Sequence, residues 1–116
     1  MADITRHQSN EKLSRVVVHG GTVYLSGLTA DDKSTDTQSQ TRQILAKADL
    51  LLASVGSDRS KLLLTQIYLR DTAEFDTMNR AWIDWLDGAA PPARITVGAD
   101  FALPEIRVEI LFTAAI

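Results

Sequence analysis

Apolar residues at Ile44, Leu45, Ala48, Leu51, Leu52 and Val55 recur at three- and four-residue steps. That spacing stacks side chains on one face of an α-helix. Thr35 followed by Gln38 resembles a capping box, and Gly56 is a suitable stop. A helix from about Asp36 to Val55 is therefore predicted. A second helical stripe runs through Phe75, Met78, Trp82, Trp85 and Leu86, after a capping-box pattern at Asp71 and Glu74 and before Gly88. Between the helices, "KLLLTQIYLR" (61–70) is dense in apolar and β-branched residues, which suits a strand buried on both sides.

Outside the helices the period shortens. "ITRHQ" (4–8) alternates weakly as a strand. In "RVVVHGGTVYLSG" (15–27), two β-rich runs flank Gly20-Gly21. A Gly-Gly pair there reads as a tight hairpin, because glycine reaches positive φ at no steric cost. "LTADDKSTDTQS" (28–39) is polar and loop-like. "RITVGADFA" and "IRVEILFTAAI" are two further strands, split by Leu103-Pro104. The predicted order is β-β-β-α-β-α-β-β, an α+β arrangement of six strands with two helices on one face. Two helices cover only one face of such a sheet. Along the last strand Val108, Ile110 and Phe112 fall on one side, while Leu111 and Thr113 fall on the other. A sheet apolar on both faces needs a partner for its open face, and self-association is expected, the alternative being a small sheet that curls on itself.

Composition narrows the function classes. The chain has 116 residues, a length that fits one domain, with 45% hydrophobic and 23% charged residues. A net charge of -3 argues against a nucleic-acid surface and provides no polybasic membrane patch. With no cysteine there is no disulfide frame, thiolate nucleophile or cysteine-based metal site. The opening "MADITRHQSNEKL" lacks the apolar core of a signal peptide, and no stretch reaches transmembrane length. A cytoplasmic protein is the simplest reading. There is no Gly-rich phosphate loop and no HExxH helix. His7 and His19 stand far apart in strand-like segments, where a lone histidine is usually structural or surface. Ser26 in "YLSGL" has no nucleophile elbow around it. Trp82 and Trp85 fall on the helical stripe and read as core.

One residue raises a question, since a strand that simply fills a core has no need of a guanidinium at its mouth. Arg94 sits directly after Pro91-Pro92-Ala93 and at the mouth of a β-run. "PPARITVGADFALPEIRVEI" (91–110) resembles the signature of the RidA/YjgF family, the reactive-intermediate (imine/enamine) deaminases. That signature is Pro-Ala-Arg, a β-run, Leu-Pro and an alternating Val-Glu-Ile strand. "VYLSGLT" is similar to the family's strand ending in Ser-Gly. "FDTMNRAWIDWL" is similar to its second helix, with Asn79 in the family's asparagine place. The resemblance covers nearly the whole chain and points to the YoaB-like branch.

The resemblance implies a chorismate-mutase-like protomer, a single RidA-like domain over residues 1–116. It implies a homotrimer whose sheets form an inner barrel, with sites in clefts between subunits and no cofactor or metal. It gives Arg94 the role of clamping the carboxylate of a 2-imino or 2-enamino acid. Ser26, Gly27 and Thr96 would complete the cradle, through backbone groups near Gly27 and Thr96. A guanidinium suits that role as a flat, two-pronged donor that stays charged. The bland alternative is a surface arginine paired to Glu105 or Asp100. The chain also departs from the family pattern. Glu109 matches the first glutamate of the last strand, but Leu111 stands where active members carry a second, water-positioning one. Leu13 falls near a missing family tyrosine. Two functions stay open: hydrolysis of 2-imino acids to 2-oxo acids and ammonia, or a non-catalytic trimer binding a small carboxylate metabolite.

Overall fold

The computed structural model describes residues 3–116. Its elements are β1 (Thr5–Ser9), β2 (Ser14–His19), β3 (Thr22–Leu25), α1 (Thr37–Ala53), β4 (Leu62–Leu69), α2 (Phe75–Leu86), β5 (Ala93–Gly98) and β6 (Val108–Ala115). This is the predicted order. The strands form one mixed sheet in the order β1-β2-β3-β6-β4-β5. Only the β4–β5 pair is parallel, as a strand–helix–strand crossover through α2 requires. β6 inserts between β3 and β4 and runs antiparallel to both. β6 is thus an inner strand, and β5 is left at an edge.

The β2–β3 hairpin turns at Gly20 and Gly21, with φ of 60° and 80°. Two successive positive φ values define the turn whose twist matches a hairpin, and glycine adopts them without strain.

The core lies between the helices and one face of the sheet. Val16, Val23, Leu25, Ile67, Leu69, Val108, Ile110 and Phe112 rise from the strands to meet Ile44, Leu45, Ala48 and Leu52 of α1 and Met78, Trp82 and Leu86 of α2. Trp85 packs edge-on against Phe112, with ring centroids 6.1 Å apart. Truncating a fully buried phenylalanine costs about 3–5 kcal/mol, so this layer contributes more than any single cap.

The caps differ from the predicted ones. α1 is capped by Asp36, whose side chain accepts from the Ser39 amide at 2.9 Å. Thr35 Oγ1 instead donates to the Asp32 carbonyl. Asp71 caps a short 3-10 turn, Thr72–Glu74, that leads into α2. Glu74 does not reach back to complete a box; it accepts from Arg107 at 2.6 Å. Asp36→Ala is expected to lower stability by about 1 kcal/mol, read as a shift in the denaturation midpoint without a change in slope.

The other face of the sheet carries Tyr24, Leu64, Ile95 and Val97, all more than a third exposed. The register puts them side by side: Tyr24 and Leu64 both pair with Thr113, and Ile95 pairs with Gln66. β4 is therefore buried on one side only within this chain. Leu63, the extra residue at a register shift in β4, is also exposed. Among the described residues, no helix is long and apolar enough to cross a membrane.

Candidate functional site

Arg94 is the second residue of β5, and its cross-strand partner is Thr65. Thr65 is fully buried, so Arg94 projects from the helix-covered face at the sheet edge. Phe75, Asn79 and Trp82 recur on the face of α2 that meets it. Nη1 of Arg94 donates to Asn79 Oδ1 at 2.7 Å. The guanidinium carbon lies 5.5 Å from the Trp82 ring centre and 5.8 Å from that of Phe75. Two aromatic faces and one amide oxygen thus hold a half-buried cation. Among the described residues no carboxylate pairs with it, neither Glu105 nor Asp100. Burial pushes its pKa down, because desolvation disfavours the charged form. An arriving anion would relieve that cost.

Thr96 follows two residues on and shares this face. Its hydroxyl and that of Thr65 are buried without a hydrogen-bond partner. Unpartnered buried hydroxyls are uncommon, and these two flank Arg94 along and across the strands.

Gly27 lies elsewhere. It lines a cavity of about 350 Å³ with Tyr68, Ala99, Asp100, Phe101, Glu109 and Leu111. Glu109 pairs across the sheet with Tyr68, three residues beyond Thr65 on β4. An odd step along a strand changes faces. The cavity is therefore on the open face, opposite to Arg94. A Cβ on Gly27 would stand 2.3 Å from Glu109 Oε2, so only glycine lets this carboxylate lie against the β3 end. Ser26 precedes it, with its amide donating to the Arg15 carbonyl at 2.9 Å. The 99–107 loop closes the cavity's rim. Arg70 pins that loop, donating from Nε to the Ile106 carbonyl at 2.7 Å and from Nη2 to that of Leu103 at 2.8 Å. Its guanidinium carbon lies 5.2 Å from the Phe101 ring centre.

The predicted site residues thus separate into two groups. Arg94 and Thr96 lie together on one face, and Gly27 lies on the other, directly after Ser26. One chain does not bring them into a single pocket. Sequence reasoning matched Glu109 to the family's first glutamate without giving it a site role, and it passed over Phe75 and Trp82 as site residues. Glu109 carried a signal, since its neighbours alternate as a strand and a carboxylate on a sheet's apolar face is unusual. Phe75 and Trp82 read as core from their spacing, and Trp82 is indeed buried.

Residues 4–116 match the protein family described as Endoribonuclease L-PSP. A RutC family protein of Haemophilus ducreyi is 37% identical over 113 residues, covering 97% of each chain. The RutC family protein YoaB of Escherichia coli is 35% identical, covering 97% of this chain and 98% of its own. The crystal structure of a YjgF family member from Neisseria meningitidis superposes with a TM-score of 0.91 at 38% identity, covering 97% of this chain and 94% of that one. The chain belongs to the RidA/YjgF family. It falls with the YoaB-like members, and its six-stranded sheet with two helices is their chorismate-mutase-like fold. A more distant relative, 26% identical over 98 residues, is the 3-aminoacrylate deaminase RutC of Acinetobacter baylyi, of which the match covers 77%.

Proposed function

We propose that this RidA-family chain hydrolyses 2-imino and 2-enamino acids to 2-oxo acids and ammonia, at sites shared between subunits of a cytoplasmic homotrimer. The observation that carries the reading is Arg94, a half-buried guanidinium held by Asn79, Phe75 and Trp82 with no anionic partner among the described residues. It stands on the edge strand, where a neighbouring chain can approach. The open face of that neighbour would bring Gly27, Ser26 and the Glu109 cavity against it, with Thr96 beside the clamp. The exposed row of Tyr24, Leu64, Ile95 and Val97 gives the apolar surface for that contact. The deaminase named among its relatives supports the same chemistry.

The substrate carboxylate would be fixed by the guanidinium fork, which orients the adjacent C=N carbon. Water adds to that carbon while the nitrogen holds the proton, and the resulting carbinolamine carries OH and NH2 on one carbon. Glu109 would return the proton it took from water to the amino nitrogen, and C–N cleavage then releases ammonia as the hydroxyl loses its proton and the C=O bond forms. Glu109 is the carboxylate placed to accept a proton from the water. A nuclease reading, which the family description names, fits less well: the chain is net negative, and Asp100 and Glu109 line the cavity without a basic side chain. The non-catalytic reading draws on Leu111, which cannot orient water.

Two measurements test the proposal. Light scattering coupled to size exclusion should give about three times the 12.7 kDa chain mass. A monomer at micromolar concentration would remove the shared site. An amino-acid oxidase generating imine in situ should show faster 2-oxo acid release when the protein is added. An unchanged rate, with carboxylate binding retained, would favour the binding-only trimer.

A further inference from the structure

The open-face cavity has two chemically distinct sides. One is acidic: Glu109 lies against Gly27, Asp100 also lines the space, and among the described residues no lysine, arginine or histidine does. The other is apolar, formed by Tyr68, Phe101 and Leu111. Glu109 and Leu111 are two residues apart on β6, so they point the same way with about 7 Å between them. A ligand spanning that distance meets a carboxylate at one end and hydrocarbon at the other. Its own carboxylate would be repelled here and must be held by Arg94 of another chain. Its cationic nitrogen suits Glu109, and its side chain suits the apolar wall. Two aromatic rings and a leucine offer more apolar surface than a methyl side chain can cover.

From this we infer that the substrates are 2-imino acids with apolar branched or aromatic side chains, and that Leu111, Phe101 and Tyr68 form the wall that selects them. The inference rests on the imine-hydrolase reading of the site. It gives Leu111 a positive role as a specificity surface where a glutamate would favour small polar ligands. Each methylene buried on that wall should improve binding about fourfold.

The test ranks ligands in two assays. Calorimetry would compare pyruvate, 4-methyl-2-oxopentanoate and phenylpyruvate as product ligands. An amino-acid oxidase assay would compare imines made from alanine, leucine and phenylalanine. The larger apolar members should be favoured over the methyl member by at least about tenfold in affinity or kcat/KM. Leu111→Ser and Phe101→Ala should each shrink that ratio, and Leu111→Glu should abolish it; Tyr68→Phe should preserve it. Thermal melting confirms that each variant is folded, and any one folded wall variant suffices. Arg94→Ala should weaken all ligands alike. A flat ranking in the wild type, or a ratio indifferent to the wall variants, overturns the inference while leaving Arg94-dependent binding intact. Binding that survives Arg94→Ala, or no binding of any 2-oxo acid, overturns the site reading itself.

Discussion

Arg94→Ala is expected to leave the protein folded and to weaken binding of pyruvate or 2-oxobutanoate by at least about tenfold, and often over a hundredfold. A charge-assisted hydrogen bond contributes about 1.5–3 kcal/mol, and a carboxylate on a guanidinium fork makes two of them. Partial burial strengthens the contact, since the competing water is thinned on the side of Phe75 and Trp82. The fold should survive because Arg94 lies on an edge strand and touches the sheet–helix core only at its margin, through Trp82. What the variant loses structurally is one hydrogen bond to Asn79 and two aromatic contacts. Arg94→Lys should recover only part of the affinity, because an ammonium is a point charge without the fork. Calorimetric titration of the three proteins at fixed salt reads the effect. Equal affinities would return Arg94 to an ordinary structural residue and remove the main support for carboxylate recognition.

Much of this geometry is legible in the chain itself, and the misses share a cause. Helical and strand periods locate both helices, the Gly20-Gly21 hairpin and all six strands, because each signal is local. Caps are local too, yet α1 begins one residue later than the Thr35–Gln38 pattern suggests. Asp36 is simply the better acceptor there, and Thr35 is engaged by the preceding loop. β4 reads as buried on both sides, while Leu64 is exposed in the single chain. Its second face awaits the subunit contact that the proposed trimer would make.

The site was harder to read because it depends on crossings. Asn79 meets Arg94 only because α2 crosses back over the edge strand it feeds. Phe75 and Trp82 share the spacing of core residues, and spacing cannot tell a ring that fills the core from one that also faces a cation. Glu109 reaches the cavity only because β6 inserts beside β3, bringing the carboxylate against Gly27. The separation of Arg94 from Gly27 follows from strand parity, three residues apart on β4 through their neighbours Thr65 and Tyr68. That parity is readable once the register is known, and the register is a tertiary property.

Glu109→Gln is expected to lower imine hydrolysis by roughly 100- to 10,000-fold while changing 2-oxo acid affinity little. The amide matches the carboxylate in shape, so it should still lie against Gly27, but it cannot take a proton from water. Half-buried Glu109 has no hydrogen-bond or ion-pair partner among the described residues, which leaves its oxygens free for that task. Leu111, two residues on, presents only hydrocarbon, so in the proposed reaction water activation would fall to Glu109. Gly27→Ala should act in the same direction by steric means. Its Cβ would meet Oε2 at 2.3 Å, and the flexible carboxylate end would swing aside with the backbone little disturbed. The two variants should therefore share a signature, a depressed rate with near-normal binding, which separates them from the lost affinity of Arg94→Ala. The coupled oxidase assay and calorimetry, run on the same preparations, distinguish the patterns. A Glu109→Gln protein that hydrolyses imine at the wild-type rate would move proton transfer to Asp100, the cavity's other carboxylate.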